Sequence, residues 1–149
     1  MKDDPRELAL GVALGVFAGM MPIMPFQTII AIAMALFMKA SKITAAAGTW
    51  ISNPLNWYLV YFYNYKLGAF ILGLPKQSII FSSIMNAARS GTEPMVIVEK
   101  ILGSGTAMIA AFLIGGIIMG ISLAIPSYFS SLYIFIYIRA LKEKRRHKH

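Results

Sequence analysis

The chain has 149 residues, 58% of them apolar and 13% charged, with a formal net charge of +8 and a mean hydropathy of +0.67. Soluble domains carry about twice that share of charge, which argues against an ordinary water-soluble domain. The lack of cysteine excludes disulfides, thiolate metal sites and cysteine nucleophiles.

The charges fall almost entirely outside three uncharged blocks, Leu8 to Met38, Ile43 to Tyr65 and Ile101 to Ile138. Each is longer than the roughly 18 apolar residues that mark a membrane segment. The opening MKDDPRE (residues 1–7) does not read as a secretory leader, because its charge is near zero and the apolar block behind it is about twice a signal h-region.

Block one would extend about 46 Å as one helix, against a hydrocarbon core of about 30 Å. It is also too short for two full spans. Pro22 and Pro25 interrupt it, each removing a backbone donor and restricting the residue before it. The halves, Glu7 to Met20 and Gln27 to Met38, would each reach only about 20 Å. The simplest object of those dimensions is a re-entrant hairpin.

Block two repeats the pattern. GTWISNPLN (48–56) interrupts an apolar run from Ile43 to about Leu74 in which Lys66 is the only charge. Asn-Pro initiates turns, and Trp57, Tyr58, Tyr61, Tyr63 and Tyr65 are aromatic residues of the kind that favour a membrane interface. The block reads as a second hairpin or as one kinked span with an aromatic belt. Two simple crossings would place Lys39 and Lys42 outside, against the preference of basic residues for the cytoplasm. Two hairpins avoid this.

In the polar interval from Pro75 to Leu102, the apolar Ile80, Ile84 and Ala87 or Ala88 recur at helical spacing, which predicts an interfacial amphipathic helix ended by Gly91. Thr92-Glu93-Pro94 then predicts a new helix start. Block three divides at Pro126-Ser127 into a full span, Ser104 to Ala124, and a shorter return from Tyr128 to Leu141, with a single long kinked helix as the alternative. Lys142, Lys144, Arg145, Arg146 and Lys148 form a basic tail that the positive-inside rule places in the cytoplasm. The tail anchors topology ahead of binding nucleic acid, and it could also attract anionic lipid.

Gly11, Gly15 and Gly19 lie on one helix face, and Gly116 and Gly120 repeat the spacing in block three. Small residues at this spacing let backbones approach closely. The pairing can be within a chain or between copies, which would make a homo-oligomer.

LGVALGVFAG (10–19), PIMPFQ (22–27), GTWISNPL (48–55) and YKLG (65–68) together resemble a bacterial membrane family called domain of unknown function 2062. The resemblance is close over residues 5–73 and looser over 102–141, where Leu102-Gly-Ser104 and Tyr128 are its best points. It implies a small integral protein of the bacterial cytoplasmic (inner) membrane with no established activity, and therefore no catalytic residue to carry over. The chain departs from the family's pattern at Ser41-Lys-Ile-Thr44, where members often have Asn-Leu-Pro, and at Asn56, where they tend to have Thr.

The predicted fold is an all-α polytopic membrane protein forming one domain. It comprises paired broken-helix hairpins (7–74), a polar interfacial segment (75–102), a C-terminal transmembrane segment or hairpin (103–141) and a basic tail (142–149). The blocks contain no Asp, Glu, His, Cys, Lys or Arg, so they supply no base or metal ligand, and no enzyme, metal or cofactor is expected. The two interruptions offer neutral polar groups instead, Gln27 and Thr28 in one and Thr49, Ser52, Asn53 and Asn56 in the other, shaped by Pro22, Pro25 and Pro54. Discontinuous helices that present their N-termini at mid-depth bind anionic groups in many transporters. The leading expectation is a transporter or lipid translocase for an anionic lipid or small anion; alternatively, these side chains only cap the broken backbone. A scaffold that associates through its glycine faces is the second expectation.

Overall fold

The computed structural model describes residues 4–23, 26–53, 55–75, 86, 89–91 and 94–146. These residues form five α-helices, α1 (Pro5–Met20), α2 (Gln27–Phe37), α3 (Lys42–Gly48), α4 (Trp57–Ile71) and α5 (Pro94–Arg146), and a 3-10 turn, Thr49–Ile51, that extends α3. No strand occurs among the described residues.

Local signals set the helix ends. Asp4 accepts a hydrogen bond from Arg6 N at 3.1 Å and so caps α1, with Pro5 in the first turn, where its missing donor costs nothing. α2 ends with Ala40 N donating to Ala35 O at 2.7 Å and Lys39 N to Leu36 O at 3.4 Å. That pattern requires a left-handed residue, and Lys39 fills the position at φ 53°. α4 ends in the same way, but with Gly73 at φ 63°.

The direction of each helix follows from the close contacts. Ser41 N donates to Glu7 O at 3.1 Å and the Thr44 hydroxyl to Leu8 O at 2.9 Å, so the start of α3 returns to the start of α1. α2 therefore runs back along α1, and the chain reverses at the first break. A Cβ on Gly11 would meet Ser41 and Thr44, one on Gly15 would meet Ala45 and Gly48, and one on Gly19 would meet Thr49 and Ile51. The register rises on both helices, so α1 and α3 are parallel. Gly68 faces Ala111 and Gly115 faces Asn64, which makes α4 antiparallel to α5. Gly116 faces Met20 and Gly120 faces Phe17, which makes α5 antiparallel to α1. Hence α4 runs the same way as α1 and α3.

Two expectations are corrected by this geometry. Block two is not a hairpin: α3, its 3-10 extension and α4 proceed in one direction through an offset, with about 37 Å of helix in total. The offset does not reverse because the side chains around it close on themselves and α4 is held along α5 by the Gly68 and Gly115 contacts. Block three does not divide at Pro126-Ser127, since α5 is continuous over 53 residues. At that turn Pro126 has no N–H to give Ser122 O, and the Ser127 hydroxyl donates to Leu123 O at 2.7 Å and the Ser131 hydroxyl to Ser127 O at 2.6 Å, added bonds within a helix that runs on past the proline. α5 also runs without a break from Pro94 through the boundary expected near residue 103. The predicted amphipathic helix at Ile80 and Ile84 and the Thr92-Glu93 start lie outside the described residues.

α5 is long and apolar enough over Gly103–Arg145 to cross a membrane. The core between α1, α2 and α3 is built from small side chains, chiefly Ala18, Ala31, Ala35, Ala40 and Ala45 with Leu14. Large apolar groups point outward, with Phe37 92% exposed and Leu55 95% exposed.

Replacing Gly68 or Gly115 with Ala is expected to destabilise the fold by about 1–3 kcal/mol, because the new Cβ would meet the backbone of Ala111 or Asn64. Gly103→Ala and Gly105→Ala, where nothing stands within 4 Å of the new carbon, serve as controls and are expected to stabilise by about 0.5–1 kcal/mol through helix propensity alone. Thermal unfolding of the detergent-purified chain reads both. In the same assay Lys39→Gly is expected to stabilise by about 1 kcal/mol, because a left-handed conformation costs a side chain roughly that much.

Candidate functional site

The two breaks lie side by side. The first ends α1 at Met20 and starts α2 at Gln27, and the second follows the 3-10 turn at Ile51 and ends where α4 starts at Trp57. Gln27 is the first residue of α2 and is only 6% exposed. Its amide nitrogen donates across the gap to Ser52 O at 3.4 Å. One position later, the Thr28 hydroxyl lies 3.1 Å from that of Thr49. Thr49 already donates its single proton to Ala46 O at 2.7 Å, so Thr28 is the donor in the hydroxyl pair.

Two oxygens in this group have no partner. Gln27 Oε1 and Ser52 Oγ are both buried without a hydrogen bond. A buried polar atom left this way costs about 1–3 kcal/mol, so the pair marks hydrogen-bonding capacity that the chain itself does not use. The N-terminus of α2 also has no side-chain cap.

Asn53 and Asn56 are arranged differently. Asn53 Oδ1 accepts from Leu55 N at 2.9 Å and Asn56 N at 3.2 Å, while Asn56 Oδ1 accepts from Asn53 N at 2.8 Å. Asn56 Nδ2 donates to Ile51 O at 2.7 Å. These two side chains hold the loop's shape. The interruptions thus bring Gln27, Thr28, Thr49 and Ser52 together and leave Asn53 and Asn56 as loop braces. Pro22 lies partly buried beside Gly116, while Pro25 and Pro54 are outside the described residues.

The contact that secures α1's broken end was not singled out in the sequence. Asn64 of α4 is fully buried, and its Nδ2 donates to Met20 O at 2.6 Å, capping the last turn of α1. Its Oδ1 has no partner. The signal available was a lone amide in the apolar run that follows the second break. Gly11, Gly15 and Gly19 are filled by α3 and its extension, and Gly116 and Gly120 by the end of α1, so all five pack within the chain.

Gln27 and Thr28 after the first break and Thr49 and Ser52 at the second therefore form one assembly, and YKLG follows Asn64 along α4. The chain belongs to a family of uncharacterized proteins conserved in bacteria (DUF2062). The family match covers residues 1–144, all of the described fold but the last two residues of α5. No curated protein and no solved structure matches the chain. In this DUF2062 member, Ser41 and Thr44 make the hydrogen bonds to α1 and Asn56 closes its loop. Among the described residues no group of three or more His, Cys, Asp or Glu side chains comes together.

Asn64→Leu is expected to cost about 1–3 kcal/mol by leaving the Met20 carbonyl unpaired. The loss should be larger than for Asn53→Ala, whose loop is partly exposed. Unfolding of both variants in one detergent ranks them.

Proposed function

We propose that this protein is a transporter or lipid translocase of the bacterial cytoplasmic membrane, with its site at the two adjacent helix breaks. The observation that carries the reading is the buried Ser52 hydroxyl, which has no partner and a proton to donate, next to a helix N-terminus with no side-chain cap; Gln27 Oε1, also unpartnered, is an acceptor and would meet a donor such as a hydroxyl on the same ligand. An anionic group on an anionic lipid or small anion would accept from the freed N–H groups of α2. The Ser52 hydroxyl and the second Nε2–H of Gln27 would donate to it, Thr28 and Thr49, whose protons go to Thr49 Oγ1 and Ala46 O, would position those donors, and Asn53 and Asn56 would shape the loop. The chemistry is binding and passage, not catalysis, because these neutral groups include no general base.

In this reading α1 and α2 form a re-entrant hairpin, α3 and α4 a broken crossing, and α5 the return crossing. The shared direction of α1, α3 and α4 supports it, since it leaves Arg6, Lys39, Lys42 and the basic tail at one side, the side the positive-inside rule makes cytoplasmic. A scaffold pairing copies through Gly11, Gly15, Gly19, Gly116 and Gly120 is less well supported, because the chain's own helices occupy those faces. A homo-oligomer would use the outer face of α5, where Phe129, Tyr133 and Ile136 are exposed.

Proteoliposomes with radiolabelled phosphate and fluorescent phosphatidylglycerol test the reading. Gln27→Leu with Ser52→Ala is expected to reduce flux of the transported probe at least tenfold. Unchanged flux in that variant overturns the site, and no flux of either probe in the unaltered protein overturns transport of these anions.

A further inference from the structure

We infer that Lys66 and the groove beside it form a binding site for an anionic phospholipid, in the leaflet opposite the basic tail. Lys66 is the only charged residue between Ile43 and Leu74. It is exposed, and among the described residues no carboxylate pairs with it. With Tyr63, Leu67 and Phe70 it forms one stripe of α4 that faces Met119 of α5 across a cavity of about 430 Å³. Apart from the Lys66 ammonium and the Tyr63 hydroxyl, the lining is apolar. An unpaired cation at the mouth of an apolar groove favours a partner that carries the opposite charge beside an apolar tail. The amphiphile that fits is a lipid whose phosphate meets the ammonium while part of its acyl chain runs inward along Tyr63 and Met119, with Leu67 and Phe70 flanking its headgroup end. A free phosphate would leave the apolar length of the groove unfilled, and a neutral lipid would leave the charge unpaired.

Depth comes from helix direction. α4 runs away from the end that holds Lys42, and Lys66 is in its last two turns, close to Gly68 where α4 meets Ala111. This places the ammonium within snorkelling reach of the far headgroup layer. A second groove, about 480 Å³ and lined by Pro22, Ile23, Tyr61, Ile109, Phe112 and Leu113, has no charge and serves as an internal control. The inference goes beyond the transport reading, since this groove is lined by none of the residues at the helix breaks, and it rests on that reading only for the membrane, because binding is measured without flux.

The test is titration of the full chain in detergent with dioleoyl phosphatidylglycerol, dioleoyl phosphatidylcholine or inorganic phosphate, followed by native mass spectrometry. Changing Lys142, Lys144, Arg145, Arg146 and Lys148 together to Gln removes the tail's contribution. In that background one phosphatidylglycerol per chain is expected to bind in preference to phosphatidylcholine. Lys66→Gln should weaken it about fivefold or more, the equivalent of about 1 kcal/mol for one basic residue near a membrane surface. Lys66→Arg should keep it, Met119→Trp should weaken it by filling the groove, and Ile109→Trp should leave it unchanged. Loss of the preference with the tail variant alone, or its survival in Lys66→Gln, overturns the site. Equal competition by inorganic phosphate assigns it to a small anion and overturns the lipid. Displacement of lipid by chain dimerisation assigns the groove to a second copy and equally overturns it. Flux that fails while this binding holds overturns transport and leaves the lipid site standing.

Discussion

The fold depends on backbones meeting where side chains are absent. Gly15 and Gly48 face one another across the α1–α3 crossing, and a carbon added to either would fall on the other's Cα. Gly68 and Gly115 bring α4 against α5 in the same way. These contacts fix more than distance. Because the register rises along α1 and α3 together and falls along α5, they set the direction of every long helix, and so bring the two breaks to one place. A larger residue at these points would separate the helices and move Gln27 away from Ser52.

Much of this arrangement was legible from residue spacing. The two interruptions and the glycine stripe came from counting, and the observed bounds of α1 and α2 lie within about two residues of those the prolines suggested. Direction was not legible. A proline break states where a helix stops, while whether the chain turns back or continues is decided by partners far along the sequence. For block two those partners are Ala111 and Gly115, more than forty residues from the positions they hold. The continuity of α5 through Pro126 was missed because a proline reads as a break, whereas inside a long helix it removes one backbone donor, that to Ser122 O, and the helix runs on.

The site was legible as a set of residue types and less so as a division of labour. Asn, Ser and Thr near a break can bind a ligand or brace a loop, and spacing alone does not separate the two uses. Hydrogen-bond accounting does. Asn53 and Asn56 commit both of their side-chain oxygens and one amide nitrogen to the loop, whereas Gln27 and Ser52 retain buried capacity. Asn64 was missed because it stands outside any motif, in a stretch whose apolar neighbours give it no pattern.

The helix ends that meet at the breaks carry opposite partial charges. α1 and the extended α3 end there with their negative termini, and α2 and α4 begin there with their positive ones, each equivalent to roughly half an elementary charge. Their sum is close to zero, so the junction as a whole attracts neither sign at long range. Selection at such a junction rests on which end is left open. Asn64 covers the carbonyl end of α1 and Asn56 that of the 3-10 turn, while neither the N-terminus of α2 nor that of α4 has a side-chain cap. Covering the negative ends and leaving the positive ones uncovered gives a neutral junction a local preference for an acceptor, and this is the physical basis for the proposal that its ligand is an anion.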